Sequence, residues 1–228
     1  MKKFSFFLSF CSIVSLIACK EQALQVSKIE GKEININDSI SSNKDLDEFI
    51  EPYAEHIEEE MSATLAYAPK SLSKTDSKYN TAIGNMEADA VLEMLQPLFV
   101  ARMQDSIDGV LLNYGGIRST INQGNITTKT GYNLMPFENE AVVVKLSAEA
   151  MQELFNYLAE HQAAHPISGM QLILNPDGSI NKANIQNKNL ENGKFYYIAT
   201  NDYLKNGGDH MDFFAKNDTV ITMNYKLR

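Results

Sequence analysis

A glycine pair and an arginine follow a short apolar run in LLNYGGIRST, residues 111–120. Because glycine has no Cβ, the backbone at Gly115 and Gly116 could come close to a ligand, and the Arg118 guanidinium could pair with its oxygens. The same residue types are also common in ordinary turns and in surface ion pairs. Taken alone, this stretch leaves a ligand site and a plain turn open.

Other residues that could do chemistry form no complete set. His161 and His165 have the spacing of a metalloprotease H-E-x-x-H motif, but Gln162 cannot act as its base and Pro166 ends the helix. We interpret both histidines as residues at a helix C-terminus, where the helix dipole favours them. Residues 208–212 spell G-D-x-x-D, but the sequence contains none of the histidine motifs of a two-metal site, no Ser-His-Asp set and no Walker loop. We therefore predict no catalytic residue in this chain and no metal or cofactor bound by it.

The amino terminus predicts an envelope protein. Lys2 and Lys3 precede a mostly apolar run over residues 4–17, which is typical of a signal peptide. The segment LIAC at residues 16–19 resembles the lipobox of bacterial lipoproteins, whose cysteine is acylated. A plain signal peptide or a short anchor helix is the alternative, although the run is short for a bilayer span. We expect a membrane-anchored lipoprotein of the bacterial cell envelope that faces the periplasm or the cell surface.

Composition divides the chain into a leader, a linker and one domain. We expect a signal peptide over 1–18, a polar tether over 19–44 that begins at the lipidated Cys19, and a folded domain over 45–228. The formal net charge of the whole chain is −9, and no run of basic residues occurs. This argues against nucleic acid as a partner, because non-specific binding to it requires clustered lysine and arginine.

Apolar periodicity predicts mixed helices and strands, and hence an α+β (mixed α/β) fold with a single domain. A helix over 83–103 carries an apolar stripe that we expect to face the core, and Pro97 should kink or break this helix. The stripe consists of Met86, Ala90, Met94 and Leu98. The other expected elements are a strand over 33–36, a helix over 46–61, strands over 110–112 and 141–146, a helix capped by Ser147, and strands over 170–174, 195–200 and 220–225.

Four stretches with unusual residue combinations occur along the chain. They are GNMEADA at 84–90, NYGGIR at 113–118, MPFEN at 135–139 and NDYLKNGGD at 201–209. In this order they resemble the C-terminal domain of the 5′-nucleotidase and UDP-sugar hydrolase family, over roughly residues 45–225. Four ordered motifs are far more specific than any one of them.

The resemblance implies a site for the nucleoside part of a substrate. In that family the base lies between two aromatic rings, and the matching residues here are Phe137 and Tyr203. Each stacked face contributes about 1–3 kcal/mol in proteins that bind single strands. Asn139, in the same motif as Phe137, is an expected substrate-binding residue too.

The resemblance also implies polar contacts around the sugar and the base. It places Asn113 at the base edge, and Arg118 and Asp209 on the ribose and phosphate side. Gly115 and Gly116 would leave room for the ligand.

Three local departures from the family pattern bear on this site. Tyr114 stands where a glycine is common, and no arginine precedes the first motif, where the local residues are Lys78, Tyr79 and Asn80. Tyr203 replaces the usual phenylalanine, which keeps the stacking face and adds a hydroxyl.

A larger departure is the missing metal chemistry. Full-length members of the family carry an N-terminal metallophosphatase domain, whose two metal ions bind the phosphate and activate water. The resemblance therefore implies the substrate-binding half of a split 5′-nucleotidase-type phosphohydrolase of nucleotide catabolism, completed by a separately encoded metallophosphatase that holds the divalent metals. The alternatives are a stand-alone nucleoside- or nucleotide-binding lipoprotein without hydrolase activity, and a degenerate module that binds no ligand. By itself the chain is not expected to hydrolyse nucleotides.

Overall fold

A computed structural model describes residue 26 and residues 28–37, 39–216 and 219–228. Cys19 and the expected signal peptide lie outside these described residues. The chain separates into two compact units, Met1–Phe49 and Ile50–Arg228, and each is considered by itself.

In the first unit, residues 28–43, as far as they are described, form no helix or strand. The strand expected over 33–36 is therefore wrong. Ile34 and Ile36 are exposed. The alternating pattern that suggested a strand is not sufficient, because a strand also needs a neighbour to pair its backbone groups.

The helices and strands of the described chain follow one another in mixed order. The α-helices are α1 (Lys44–Ser62), α2 (Ala82–Met103), α3 (Thr128–Leu134), α4 (Ala148–His161), α5 (Asp202–Lys205) and α6 (Asp212–Ala215). The strands are β1 (Thr64–Ala68), β2 (Gly109–Leu111), β3 (Gly124–Thr127), β4 (Glu140–Ser147), β5 (Ile167–Ser168), β6 (Met170–Leu174), β7 (Ile180–Ile185), β8 (Phe195–Asn201) and β9 (Val220–Lys226). Two short 3₁₀ helices cover Tyr114–Gly116 and Gly208–His210. Among the described residues, no helix combines the length and the apolar composition needed to cross a bilayer.

A five-stranded sheet organises the second unit, with the strand order β5-β2-β8-β4-β9. β2 and β8 run parallel, whereas β4 is antiparallel to both β8 and β9. Two further sheets of two strands each pair β1 with β3 and β6 with β7. The expected mixture of helices and strands is confirmed, and so are the expected strands at β2, β4, β6, β8 and β9.

Helices cover both faces of the five-stranded sheet. Because successive side chains of a strand point to opposite faces, neighbouring residues of β4 pack against different helices. Val142 and Val144 of β4 pack with Met151, Leu154 and Phe155 of α4. On the other face, Val143 of β4 and Ala199 of β8 pack with Leu95 and Phe99 of α2. Burial between two helical layers explains why β4 reads as a nearly continuous valine-rich run.

The orientation of α2 contradicts most of the expected core stripe. Met86 and Met94 are 38% and 63% exposed. Ala90 is exposed as well, and of the four stripe residues only Leu98 packs against the core. The buried row lies on the neighbouring face and contains Ile83, Leu95 and Phe99. Glu87 occupies the same row. Because Glu87 is charged, a search for apolar residues at helical spacing does not identify this row as the buried one.

Of the expected kink or break at Pro97, the break is wrong, since α2 continues to Met103. Proline removes the donor that would normally bond the carbonyl four residues earlier, here the carbonyl of Glu93. Both Pro97 and Glu93 are exposed, so water can bind that carbonyl instead.

Candidate functional site

The sheet topology brings three of the four motif regions, at 113–118, 135–139 and 201–209, towards one edge. The parallel strands β2 and β8 are neighbours and both end there, and Asn113 and Tyr203 follow within two residues of their ends. Because β4 is antiparallel to β8, its first residues lie at the same edge, directly after Phe137 and Asn139. Residues far apart in the sequence therefore meet at one place.

A cleft of about 320 Å³ lies at this edge. It is lined by Asn113, Gly115, Arg118, Phe137, Asn139, Tyr203 and Asp209. Seven of the eight residues expected to bind substrate thus share one cleft, although their role in binding stays a prediction. The eighth, Gly116, is buried and does not line the cleft.

The structural role of Gly116 differs from the expected one, which was to leave room for the ligand. Neither Gly115 nor Gly116 takes a left-handed backbone conformation, because both lie in a short 3₁₀ helix. A Cβ added at Gly116 would lie 3.2 Å from Asn113 Oδ1. Gly116 therefore makes room for the Asn113 side chain rather than for a ligand.

Asn113 is fixed by a second asparagine that the set of expected site residues does not include. Asn201 Nδ2 donates to Asn113 Oδ1 at 3.1 Å, and Asn201 Oδ1 accepts from the Leu204 N–H at 2.8 Å. Asn201 thereby caps α5 and orients Asn113 at once. The position of Asn201 just before α5 is typical of a helix cap. Its hydrogen bond with Asn113 joins residues 88 positions apart, so the local sequence does not indicate it.

Tyr203 is held against the turn that carries Asp209. Its hydroxyl donates to Asp209 Oδ1 at 2.7 Å, and the Asp209 N–H donates back to Tyr203 Oη at 3.2 Å. The ring lies directly on Gly208, where an added Cβ would be 2.5 Å from Tyr203 Cε1. Position 208 must therefore be glycine for Tyr203 to lie here. The hydrogen bond to the Asp209 carboxylate raises the pKa of the Tyr203 hydroxyl above its ordinary value.

Asp209 is fixed through its main chain as well. It adopts a left-handed conformation with φ 53°, which aspartate tolerates better than most residues. Its carbonyl accepts a hydrogen bond of 2.8 Å from the hydroxyl of Tyr157 on α4. Burial, followed by the nearby Asp209 carboxylate, raises the pKa of Tyr157. Tyr157 is a supporting residue that the motifs do not reveal, since it lies 52 residues before Asp209.

Phe137 and Arg118 also line the cleft. Phe137 is 41% exposed and Tyr203 is 44% exposed, so both rings are partly open to solvent. The Arg118 guanidinium carbon lies 6.0 Å from the centre of the Phe137 ring. Its one hydrogen bond to the described residues is a long contact of 3.4 Å to the Gly115 carbonyl. Most of its donors are thus available to a ligand.

A second cation supports the loop that carries Arg118. Lys74 Nζ donates to the Ile117 carbonyl at 2.7 Å and lies 4.3 Å from the centre of the Tyr114 ring. Burial, and then the charge of Arg118, lower the pKa of Lys74. Sequence reasoning missed Lys74, because it belongs to none of the four motifs.

The two histidines both lie near the Tyr157 ring but differ in burial. His161 lies in the last turn of α4, with its Nδ1 3.0 Å from the Tyr157 carbonyl, as interpreted from the sequence. His165 lies beyond the helix and is buried, and its Nδ1 accepts from the Tyr114 N–H at 3.2 Å. Because His165 lies outside α4, the helix-end interpretation is wrong for this residue. Burial lowers the pKa of the His165 imidazole. Within the described ranges, no three His, Cys, Asp or Glu side chains are grouped as a metal site would require.

Comparison with known proteins gives the same family over the region of the motifs. Residues 61–216 match the model of the family described as "5′-nucleotidase, C-terminal domain". The trifunctional nucleotide phosphoesterase protein YfkN of Bacillus subtilis is 23% identical over 224 residues, which cover 91% of this chain and 15% of that protein. Cell wall protein Lmo0130 of Listeria monocytogenes is 25% identical over 203 residues, which cover 81% of this chain and 26% of that protein.

A solved structure has the same fold. The 5′-nucleotidase precursor from Thermus thermophilus superposes with a TM-score of 0.65 at 22% sequence identity, covering 79% of this chain and 38% of that one. The chain spans less than half the length of each of these proteins. With its family model matched over more than half of its length, the chain belongs to the family of the 5′-nucleotidase C-terminal domain.

Proposed function

We propose that this protein is the nucleoside-recognition half of a split 5′-nucleotidase-type phosphohydrolase. It binds a nucleotide through its base and sugar and presents the phosphate to a separately encoded metallophosphatase, which supplies the metal ions and the chemistry.

The observation that carries the proposal is the cleft with two exposed aromatic rings and one charge of each sign. Phe137 and Tyr203 offer apolar faces to a flat base, which any base can use because all have a π-face. Asp209 is an acceptor for sugar hydroxyls, and Arg118 is a donor for phosphate or sugar oxygens. The rings and charges suit a nucleotide, which joins a planar base to a polar sugar and an anion.

The division of labour rests on the metal ligands. In the portion that the structure describes, no cluster of three metal-ligating side chains occurs, so these residues do not fit a two-metal centre. We therefore assign the divalent metals to the partner protein.

A location in the cell envelope agrees with this function. One relative is named a cell wall protein. The LIAC segment, with Cys19 as the acylated residue, would tether the domain to a membrane, where it could take up nucleotides from outside the cytoplasm.

A stand-alone nucleoside- or nucleotide-binding lipoprotein is the second candidate. It is favoured by the fact that Phe137, Tyr203, Arg118 and Asp209, which offer two ring faces and one charge of each sign, line a single cleft of this chain. Such a protein would bind its ligand with no partner present and would show no linked hydrolase activity.

Calorimetric titration of the full chain with adenosine, AMP, uridine and UDP-glucose tests ligand recognition. We expect dissociation constants from micromolar to millimolar, or about −8 to −4 kcal/mol, since no metal holds the phosphate. Phe137→Ala should weaken adenosine binding by about 1–3 kcal/mol through the loss of one stacking face. Arg118→Ala should weaken the binding of AMP more than that of adenosine.

Phe195→Ala is the matched control for this experiment. Phe195 is 54% exposed, so its loss resembles that of Phe137, but it begins β8 and lies about 20 Å of strand away from the cleft. Equal losses in Phe137→Ala and Phe195→Ala would contradict the stacking role. The absence of heat with every ligand at millimolar concentration would contradict recognition of nucleosides.

Co-purification from native membranes tests the split enzyme. A metallophosphatase should be recovered with this chain, and AMP hydrolysis should follow the pair. If the purified chain alone hydrolyses AMP with added Mn²⁺ at ordinary nucleotidase rates, the assignment of the chemistry to a partner is wrong.

A further inference from the structure

A second cavity, larger than the cleft, lies beside the start of α2. Its volume is about 580 Å³, and we call it the amide groove. It is lined by residues 79–81 and 84–85, by residues 164–167 after α4, and by residues 169–173 and 186–187 in and beside the β6–β7 hairpin. None of these residues lines the cleft, so the two sites are separate.

The lining of the amide groove carries no formal charge. Although 21% of the chain is charged, no Asp, Glu, Lys or Arg occurs among the described residues that line the groove. His165 lines it as a buried residue, and burial lowers the pKa of the imidazole, so this ring is uncharged at neutral pH. An uncharged ligand is favoured here, because a charged one would lose water without gaining a counter-charge.

Side-chain amides supply most of the polar groups of the groove. Four of them form no hydrogen bond with any residue that the structure describes, namely those of Asn80, Asn85, Gln171 and Asn187. An amide donates through its NH₂ group and accepts through its oxygen, and a hydroxyl likewise does both. The groove therefore matches a ligand that carries many hydroxyls.

Gln186 is a fifth amide, and its position is fixed. Its Nε2 donates to the Asp108 carbonyl at 2.8 Å, and its N–H donates to the Gly169 carbonyl at 2.8 Å. Its backbone is left-handed with φ 48°, which is uncommon outside glycine, asparagine and aspartate. Gln186 Oε1 accepts no hydrogen bond from the described residues. It is thus an acceptor held in place before a ligand arrives, which lowers the entropic cost of binding.

Tyr79 and Ile173 add apolar surface to the groove, since their side chains are 43% and 44% exposed. The Tyr79 hydroxyl donates to Gln162 Oε1 at 2.8 Å, which orients the ring. A pyranose has an apolar face of C–H groups and a rim of hydroxyls. An aromatic ring suits the face, and amides suit the rim.

From these features we propose that the amide groove is a second binding site, which takes an uncharged saccharide. This inference goes beyond the proposed function and does not depend on it, because the groove and the cleft share no lining residue. A peptide strand fits the observations less well. It would pair with the main chain at the free edge of β6, whose one partner among the described strands is β7, and would not require the amides of Asn80 and Asn85.

Calorimetric titration of the full chain with maltotriose, cellotriose and chitotriose tests the proposal. At least one of these neutral trisaccharides should bind with a millimolar or lower dissociation constant. Trigalacturonic acid, which carries a carboxylate on each ring, should bind at least roughly tenfold more weakly. Saturating AMP should leave saccharide binding unchanged, whereas competition by AMP would place the saccharide in the cleft and overturn the proposal.

Substitutions in the lining identify the groove as the place of binding. Gln171→Ala and Asn187→Ala should each weaken saccharide binding by about threefold to tenfold, since each removes one amide. Gln123→Ala is the matched control, because Gln123 is an exposed glutamine that does not line the groove. Tyr79→Ala should weaken binding at least roughly tenfold, and Tyr79→Phe, which keeps the ring, should not.

The proposal is overturned if none of the neutral trisaccharides gives heat, if the charged one binds equally well, or if Gln171→Ala and Gln123→Ala have equal effects. Binding of an alanine pentapeptide in the absence of saccharide binding would overturn it in favour of strand addition at β6. Circular dichroism of each variant verifies the fold. Failure of adenosine to bind would refute the proposed function and leave this inference standing.

Discussion

Glu87 is a carboxylic acid in the buried face of α2, and its replacement by glutamine should change how the stability of the protein depends on pH. The residue is only 7% exposed, and its Oε1 has no hydrogen-bond partner among the described residues. Burial raises the pKa of Glu87 from 4.5 to about 7, and the positive charge of Lys74 opposes part of this rise. A buried charge without a hydrogen bond is unfavourable, so the folded protein holds the proton more tightly than the unfolded chain does.

The sign and the size follow from that difference in pKa. Between pH 4.5 and 7 the folded state binds more protons at this residue than the unfolded state, so its contribution to stability is complete below pH 4.5 and decreases as the pH rises through 7. A shift from 4.5 to about 7 corresponds to about 3 kcal/mol. Glutamine has nearly the same shape and carries no charge. The stability of Glu87→Gln relative to the unmodified protein should therefore increase by about 3 kcal/mol between pH 4.5 and pH 8.

Urea unfolding followed by circular dichroism at pH 4.5 and pH 8 measures this change, and comparing the two pH values cancels any constant effect of the amide on packing. Glu93→Gln, at an exposed position of the same helix, removes the same formal charge and controls for net charge. If the difference between Glu87→Gln and the unmodified protein varies by less than about 0.5 kcal/mol between the two pH values, Glu87 is not a buried acid of raised pKa.

Two further predictions concern Gly208 and Cys19. In Gly208→Ala the new methyl group would displace the Tyr203 ring, so adenosine binding should fall at least roughly tenfold in titrations while circular dichroism shows an intact fold; unchanged binding would mean that the ring takes no part. Cys19→Ser should release the protein from membranes, as measured by fractionation and immunoblotting, because this change removes the thiol that we propose is acylated. Retention of that variant in salt-washed membranes would contradict the lipoprotein assignment.

Some helices and strands could be predicted because they depend mainly on residues close to them in the sequence. Ser147 caps α4 through the Ala150 N–H, as its position before an apolar helix indicates. The valine-rich segment forms β4, and the turn at Asn175–Gly178 follows β6. These elements are set by capping, β-branching and turn chemistry, which a single sequence displays directly.

Long-range contacts explain what could not be predicted. Two apolar faces run along α2, and only its packing against the sheet decides that Phe99 is buried and Met94 is exposed. Family motifs identified the residues that line the cleft. They did not reveal that Asn201, which begins the fourth motif, fixes Asn113, or that Tyr157, outside the motifs, holds Asp209. Those partnerships join residues 88 and 52 positions apart and leave no pattern in the sequence.

The parallel pairing of β2 and β8 couples recognition to folding of the whole sheet. Asn113 and Tyr203 come together only when these two strands, almost ninety positions apart, lie side by side. The unfolded chain therefore has no partial version of the cleft, and a ligand that binds there selects the folded state alone. At ten times its dissociation constant, such a ligand adds about 1.4 kcal/mol to the stability of the entire domain. A substitution deep in the sheet can for the same reason reduce occupancy without touching the cleft, because it lowers the fraction of molecules in which the cleft exists.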